Sequence, residues 1–70
     1  MMKKIAKRLQ MLMDEAGLGN NDFAKSIGVT QGCMSNWMNC RNYISVSCLA
    51  QVCNTYHVSA DWVLGLSEER

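Results

Sequence analysis

Gln31, Ser35, Asn36 and Asn39 form a row of amide and hydroxyl side chains at helical spacing, with Gly32 beside Gln31. No Asp, Glu, Lys or Arg interrupts the stretch from Gln31 to Asn39. A helix face that meets only water usually carries charge. Neutral donors and acceptors suit a neutral polar surface, such as the edges of bases. Gln and Asn amides can bond adenine bidentately at N6 and N7 in the major groove, and a serine hydroxyl donates or accepts. Gly32 lets a backbone come close, or leaves room for a thymine methyl. The same pattern also describes a polar helix face with no partner, and periodicity alone leaves both readings open.

Other chemistry has less to work with. The four cysteines, Cys33, Cys40, Cys48 and Cys53, form no C-x-x-C pair, so no structural zinc site is expected. Cys53 and His57 are four apart and could share a helix face, but they supply only two ligands. With no export signal in sight, reduced thiols acting as small hydrophobes are expected. His57 has no nucleophile at catalytic spacing, and Asp14, Glu15 and Asp22 fall at helix-surface positions. The expectation is no enzyme, no metal and no cofactor.

Seventy residues bound the chain to one domain with a modest core. Hydrophobic residues make up 49%, which argues against disorder, and the lack of proline favours helices. MMKKIAKRLQMLMDEA has no unbroken apolar h-region. No stretch approaches the roughly 20 apolar residues of a membrane span. A cytoplasmic protein with no membrane partner is expected. The net charge of +1 is weak for a nucleic-acid binder, but the charges are unevenly placed. Residues 1–41 hold Lys3, Lys4, Lys7, Arg8, Lys25 and Arg41 against Asp14, Glu15 and Asp22, whereas residues 42–70 hold Arg70 against Asp61, Glu68 and Glu69. A basic face that meets phosphate and an ordinary solvated surface both fit this count. Lys3, Lys4, Lys7 and Arg8 read either as a basic arm or as a solvated helix start.

Five short helices would position these residues. The first runs from about Lys3 to Ala16 on an apolar stripe of Ile5, Leu9, Leu12, Met13 and Ala16, with Lys4, Lys7, Arg8 and Glu15 off it and Gly17 as terminator. The second runs from Asn20 or Asn21 to Ile27, with Asn20 as N-cap and Phe23, Ala24 and Ile27 inward. Gly28 ends it and Val29 plugs the turn. Thr30 caps the third, whose inward stripe is Met34, Trp37 and Met38. Residues 40–45 form a loop. Ser45 caps a fourth helix with Leu49, Val52, Cys53 and Tyr56 inward, and Ser59 caps a fifth that ends near Gly65. Residues 1–66 make the domain, and 67–70 are expected to fray. Trp37, Trp62 and the methionines read as core, and His57 as a helix C-terminal residue. Tyr43, Ile44 and Val63 are candidates for a dimer patch.

The segments Phe23-Ala24-Lys25-Ser26-Ile27-Gly28-Val29-Thr30-Gln31, Met34-Ser35-Asn36-Trp37 and Tyr56-His57-Val58-Ser59-Ala60-Asp61-Trp62-Val63-Leu64 occur in that order. Together they resemble the phage repressor and Cro-like helix-turn-helix family, and the resemblance covers about Ile5 to Leu64. It implies an all-α, five-helix lambda-repressor-like bundle whose third helix enters the major groove, usually as a homodimer on a palindromic double-stranded site. Carried over by position, Gln31, Gly32, Ser35 and Asn36 would contact bases. Gly19, Asn20, Asn39 and Arg41 would contact phosphate. The chain departs from the family pattern at Gly19-Asn20, where Ser-Gln is usual, at Cys40, where glycine is common, and at Ile44, where proline is common. Met13 and Met38 stand where many members carry a partly buried Arg–Glu pair, so an apolar contact is expected in its place. The resemblance implies a sequence-specific regulator, either a repressor or Cro-like. The near-neutral charge keeps open a protein-interaction module on the same fold, such as an antitoxin-like partner or an anti-repressor target.

Overall fold

The computed structural model describes all 70 residues. It contains α1 (Met2–Ala16), α2 (Asn20–Ser26), α3 (Gln31–Met38), α4 (Val46–Tyr56) and α5 (Ala60–Val63), and no strand. The all-helical expectation therefore holds, with the loop at 40–45 in place.

The helix starts follow from local chemistry. Thr30, Ser45 and Ser59 sit in extended backbone, and each side-chain oxygen accepts from the N–H three residues on: Cys33 at 3.2 Å, Cys48 at 3.2 Å and Trp62 at 3.1 Å. Each bond satisfies one of the four donors a helix start leaves open. The second helix differs from expectation. Gly19, not Asn20, occupies its N-cap, and no side chain caps it. Asn20 is already the first helical residue.

The helix ends share one device. Gly17, Gly28, Cys40, His57 and Gly65 all have positive φ, one after each helix. After α3 the Cys40 N–H donates to Trp37 O at 3.1 Å and the Arg41 N–H to Asn36 O at 2.8 Å. This is the paired-bond left-handed ending usually given to glycine. Cys40 adopts it at φ 58 and His57 at φ 56, where a Cβ is strained.

The core is a cluster of 13 buried apolar residues drawn from every helix. Ile5, Leu9, Leu12 and Met13 face it from α1, Phe23 and Ala24 from α2, Met34 and Trp37 from α3, Val52 from α4, and Trp62 and Val63 from α5. Ile27 and Val58 seal the intervening turns. Each large side chain so buried contributes about 1.5–3 kcal/mol of hydrophobic driving force. Met38, Leu49, Cys53 and Tyr56 lie half-buried against this cluster. The Phe23 and Tyr56 rings stack with centroids 4.9 Å apart, joining α2 to α4, and Ser26 Oγ hydrogen-bonds the Tyr56 hydroxyl. Helix α1 packs on α3 and α5, and α2 packs on α3.

Three burial expectations are corrected. Ala16 is exposed, because α1 has by then passed the end of the core. Val63 is fully buried and so cannot belong to a dimer patch. Arg8 is buried too, the one charged residue so placed. It lies beside residues 5, 9, 12 and 13 on α1, where Glu68 and the Trp62 ring receive its charge.

The tail also departs from expectation. Residues 67–70 fold back over α1 and α5 instead of fraying. The Ser59 N–H donates to Arg70 O at 2.6 Å and the Ser59 hydroxyl to Glu69 O at 3.3 Å. Arg70 pairs with Glu15, and Arg8 with Glu68. The guanidinium carbons of Arg8 and Arg70 lie 4.8 and 4.6 Å from the Trp62 ring centroid. The Arg70 contact favours the folded-back tail, and the Arg8 contact joins α1 to α5.

Candidate nucleic-acid interface

Residues 27–30 join α2 to α3 in a tight turn. Gly28 takes φ +74, which lets its N–H reach Lys25 O at 3.2 Å and the Val29 N–H reach Ala24 O at 2.9 Å. Val29 then returns to the core and Thr30 caps α3. The packing of α2 on α3 leaves one side of α3 open.

Residues 31, 32, 35, 36 and 39 lie on that side by helical spacing. Gln31, Gly32 and Asn39 are exposed, while Ser35 and Asn36 are half-buried. The candidate base-reading set thus shares one uncharged face. Gln31 and Gly32 occupy the first turn of α3, the part of a helix that reaches deepest into a major groove when entered end-first. Gly32 has open space around it. A Cβ there would meet only Thr30 Oγ1 at 3.8 Å, and its φ is not positive. Neither packing nor backbone geometry demands a glycine at this position.

The candidate phosphate set divides. Gly19 and Asn20 are exposed at the start of α2. Arg41 is exposed and pairs with no carboxylate, so its guanidinium is available to an anion. Asn39 instead turns back on its own helix. Its Nδ2 donates to Ser35 O at 2.9 Å and to Ser35 Oγ at 3.3 Å. That pair orders the C-terminal end of the polar row and leaves the Asn39 Oδ1 as the side-chain atom not committed to these bonds.

Sequence reasoning missed two features. Cys33 is exposed on α3, two residues from Gln31, rather than a core thiol. Val46, three residues after Tyr43 in sequence, is 84% exposed and Tyr43 60%, whereas Ile44 is half-buried. Arg8 is buried, whereas Lys3, Lys4 and Lys7 are exposed.

No three His, Cys, Asp or Glu side chains gather where they could hold a metal ion. All four cysteines are unpaired thiols, and partial burial pushes the Cys53 thiol above its ordinary value. An open groove of about 440 Å³ runs along α4 and α5, lined mainly by Val46, Leu49, Ala50, Cys53 and Val58. It has no paired acid and base. No helix is long and apolar enough to cross a membrane. Comparison with known proteins found no matching family model, no matching curated protein and no matching solved structure.

Proposed function

We propose that this chain is a sequence-specific double-stranded DNA-binding regulator, repressor or Cro-like, with a lambda-repressor-like helix-turn-helix in which α3 enters the major groove. The observation that carries this reading is the open face of α3: Gln31, Gly32, Ser35 and Asn36 share one uncharged polar side on a helix whose opposite side is core. Amide and hydroxyl groups read base edges. Gly19, Asn20, Asn39 and Arg41 flank that face and suit the phosphates on either side. Phosphate contacts fix the docking, and base contacts give sequence preference. The protein acts as a cytoplasmic, non-enzymatic factor without cofactor, and as a homodimer on a two-fold site, with Tyr43 and Val46 the apolar residues free to meet a second copy.

The test is selection of duplexes from a randomised pool, followed by affinity for the selected sequence against salt. The expected outcome is a palindromic motif, a steep loss of affinity with salt, and relaxed preference at one base position for Gln31→Ala at a cost of about 1–3 kcal/mol. Binding that stays at the non-specific level of roughly 10⁻⁴ to 10⁻⁶ M with no motif rejects operator recognition.

A second reading is a protein-interaction module on the same fold. The net charge of +1 and the exposed Tyr43 and Val46 favour it. It predicts a stable complex with another protein and no salt-dependent DNA binding.

A further inference from the structure

The geometry points to a binding site for a phosphoryl oxyanion on the N-terminal half of α1, built from Lys4, Lys7 and Arg8 and occupied in the free protein by the protein's own Glu68. The inference stands apart from the DNA-binding reading, because α1 and the tail, not α3, supply the groups.

A recess of about 150 Å³ is lined by Lys4, Lys7, Arg8, Met11 and Glu68. Lys4, Lys7 and Arg8 are spaced i, i+3, i+4, so their side chains leave one helix face together. Three cations therefore meet one carboxylate. Neither lysine forms an ion pair.

Arg8 makes this more than a patch of surface lysines. Its side chain is only 8% exposed, and its guanidinium is held over the Trp62 ring. One edge atom, Nη2, donates to Glu68 Oε2 at 3.1 Å, while the buried Nε has no hydrogen-bond partner. A buried donor without a partner is costly in a folded protein. Guanidinium recognises oxyanions through two parallel bonds, and here the carboxylate supplies one. Glu68 is itself 83% exposed, so this internal anion is displaceable. Lys4 is positioned by the backbone: its Cγ lies against Gly65, close enough that a Cβ on that residue would clash. The Arg8 hydrogen bond first, then the charges of Arg8 and Lys4, hold the Glu68 carboxyl below its usual value, which places both cations in range of the same anion. A phosphoryl group brings more oxygens and more charge than a carboxylate, and so can meet both Arg8 edge donors and the two ammonium groups together.

The experiment is titration of inorganic phosphate, at constant ionic strength in chloride, into the isotope-labelled full chain, read at the Arg8 Nε–H and the lysine side-chain resonances. Wild type, Glu68→Gln and Lys7→Ala are compared; both altered residues are exposed and lie outside the apolar core, and backbone spectra check that each variant stays folded. Saturable shifts are expected, tightened roughly two- to fivefold by Glu68→Gln and weakened by a similar factor by Lys7→Ala, the scale of an exposed ion pair. A parallel titration with a random-sequence DNA duplex identifies the source. Shifts with both anions assign a site that also takes backbone phosphate, and shifts with phosphate alone assign a free phosphoryl ligand. Non-saturating drift in wild type and Glu68→Gln alike overturns the proposal, as does an affinity that neither substitution changes.

Discussion

At the scale of single residues, two helix ends use side chains that the geometry disfavours. Cys40 and His57 hold left-handed φ of 58 and 56, where glycine carries no Cβ penalty. The strain of roughly 1–2 kcal/mol is offset in part by the higher unfolded-state entropy of glycine. Cys40→Gly and His57→Gly should therefore each stabilise the fold by about 0.5–1 kcal/mol. Thermal unfolding checks this, and a lowered melting temperature in both would refute the strain argument. Met13 makes the opposite case. It is 1% exposed in the apolar core. Met13→Arg places a charge in an apolar core, and a loss of at least about 3 kcal/mol is expected. An unchanged denaturation midpoint would mean that a carboxylate or solvent reaches the new guanidinium.

At the scale of elements, α3 carries an internal conflict. Gly32 weakens the helix by roughly 0.5–1 kcal/mol relative to alanine, and nothing within the protein requires it. If a base or a DNA backbone approaches there, the cost has a reason. Gly32→Ala should raise the melting temperature while reducing affinity for the selected duplex. A variant that is both more stable and equally tight in binding would remove Gly32 from the interface. The two ends of the polar row also differ. Gln31 is free at the N-terminal end, whereas Asn39 is tied to Ser35. Substitution at Gln31 is accordingly the one expected to change base preference.

At the scale of the molecule, Trp62 is gripped between Arg8 and Arg70, and those arginines bind Glu68 and Glu15. The tail is thus fastened by charge at neutral pH. Hydrogen bonds from Arg70 and Arg8 hold the Glu15 and Glu68 carboxyls below the usual 4.5. A depressed acid contributes stability above its unfolded value and loses it as pH falls through the folded one. Below pH 4.5 the tail should loosen while the apolar core persists. Backbone resonances of residues 67–70 and the Trp62 indole would follow this by acid titration. Their constancy after both carboxyls have protonated would show that the Ser59 bonds and ring contacts suffice alone.

Much of this protein was legible in its sequence. Helix number, the capping roles of Thr30, Ser45 and Ser59, the stops at Gly17 and Gly28, and the burial of Phe23, Met34, Trp37 and Trp62 rest on signals within a few residues of each other. A cap bonds three residues on, and a helix face repeats every three or four. The polar row from Gln31 to Asn36 was legible for the same reason, while the half-burial of Ser35 and Asn36 was not. Tertiary structure alone decided the rest. Arg8 faces the core because Glu68, sixty residues away, and Trp62 receive its charge. Val63 is buried because α5 folds onto α1. The tail holds because Arg70 finds Glu15 across the chain. Such outcomes depend on charge and ring contacts between distant segments, and no local period or spacing encodes which distant partner arrives.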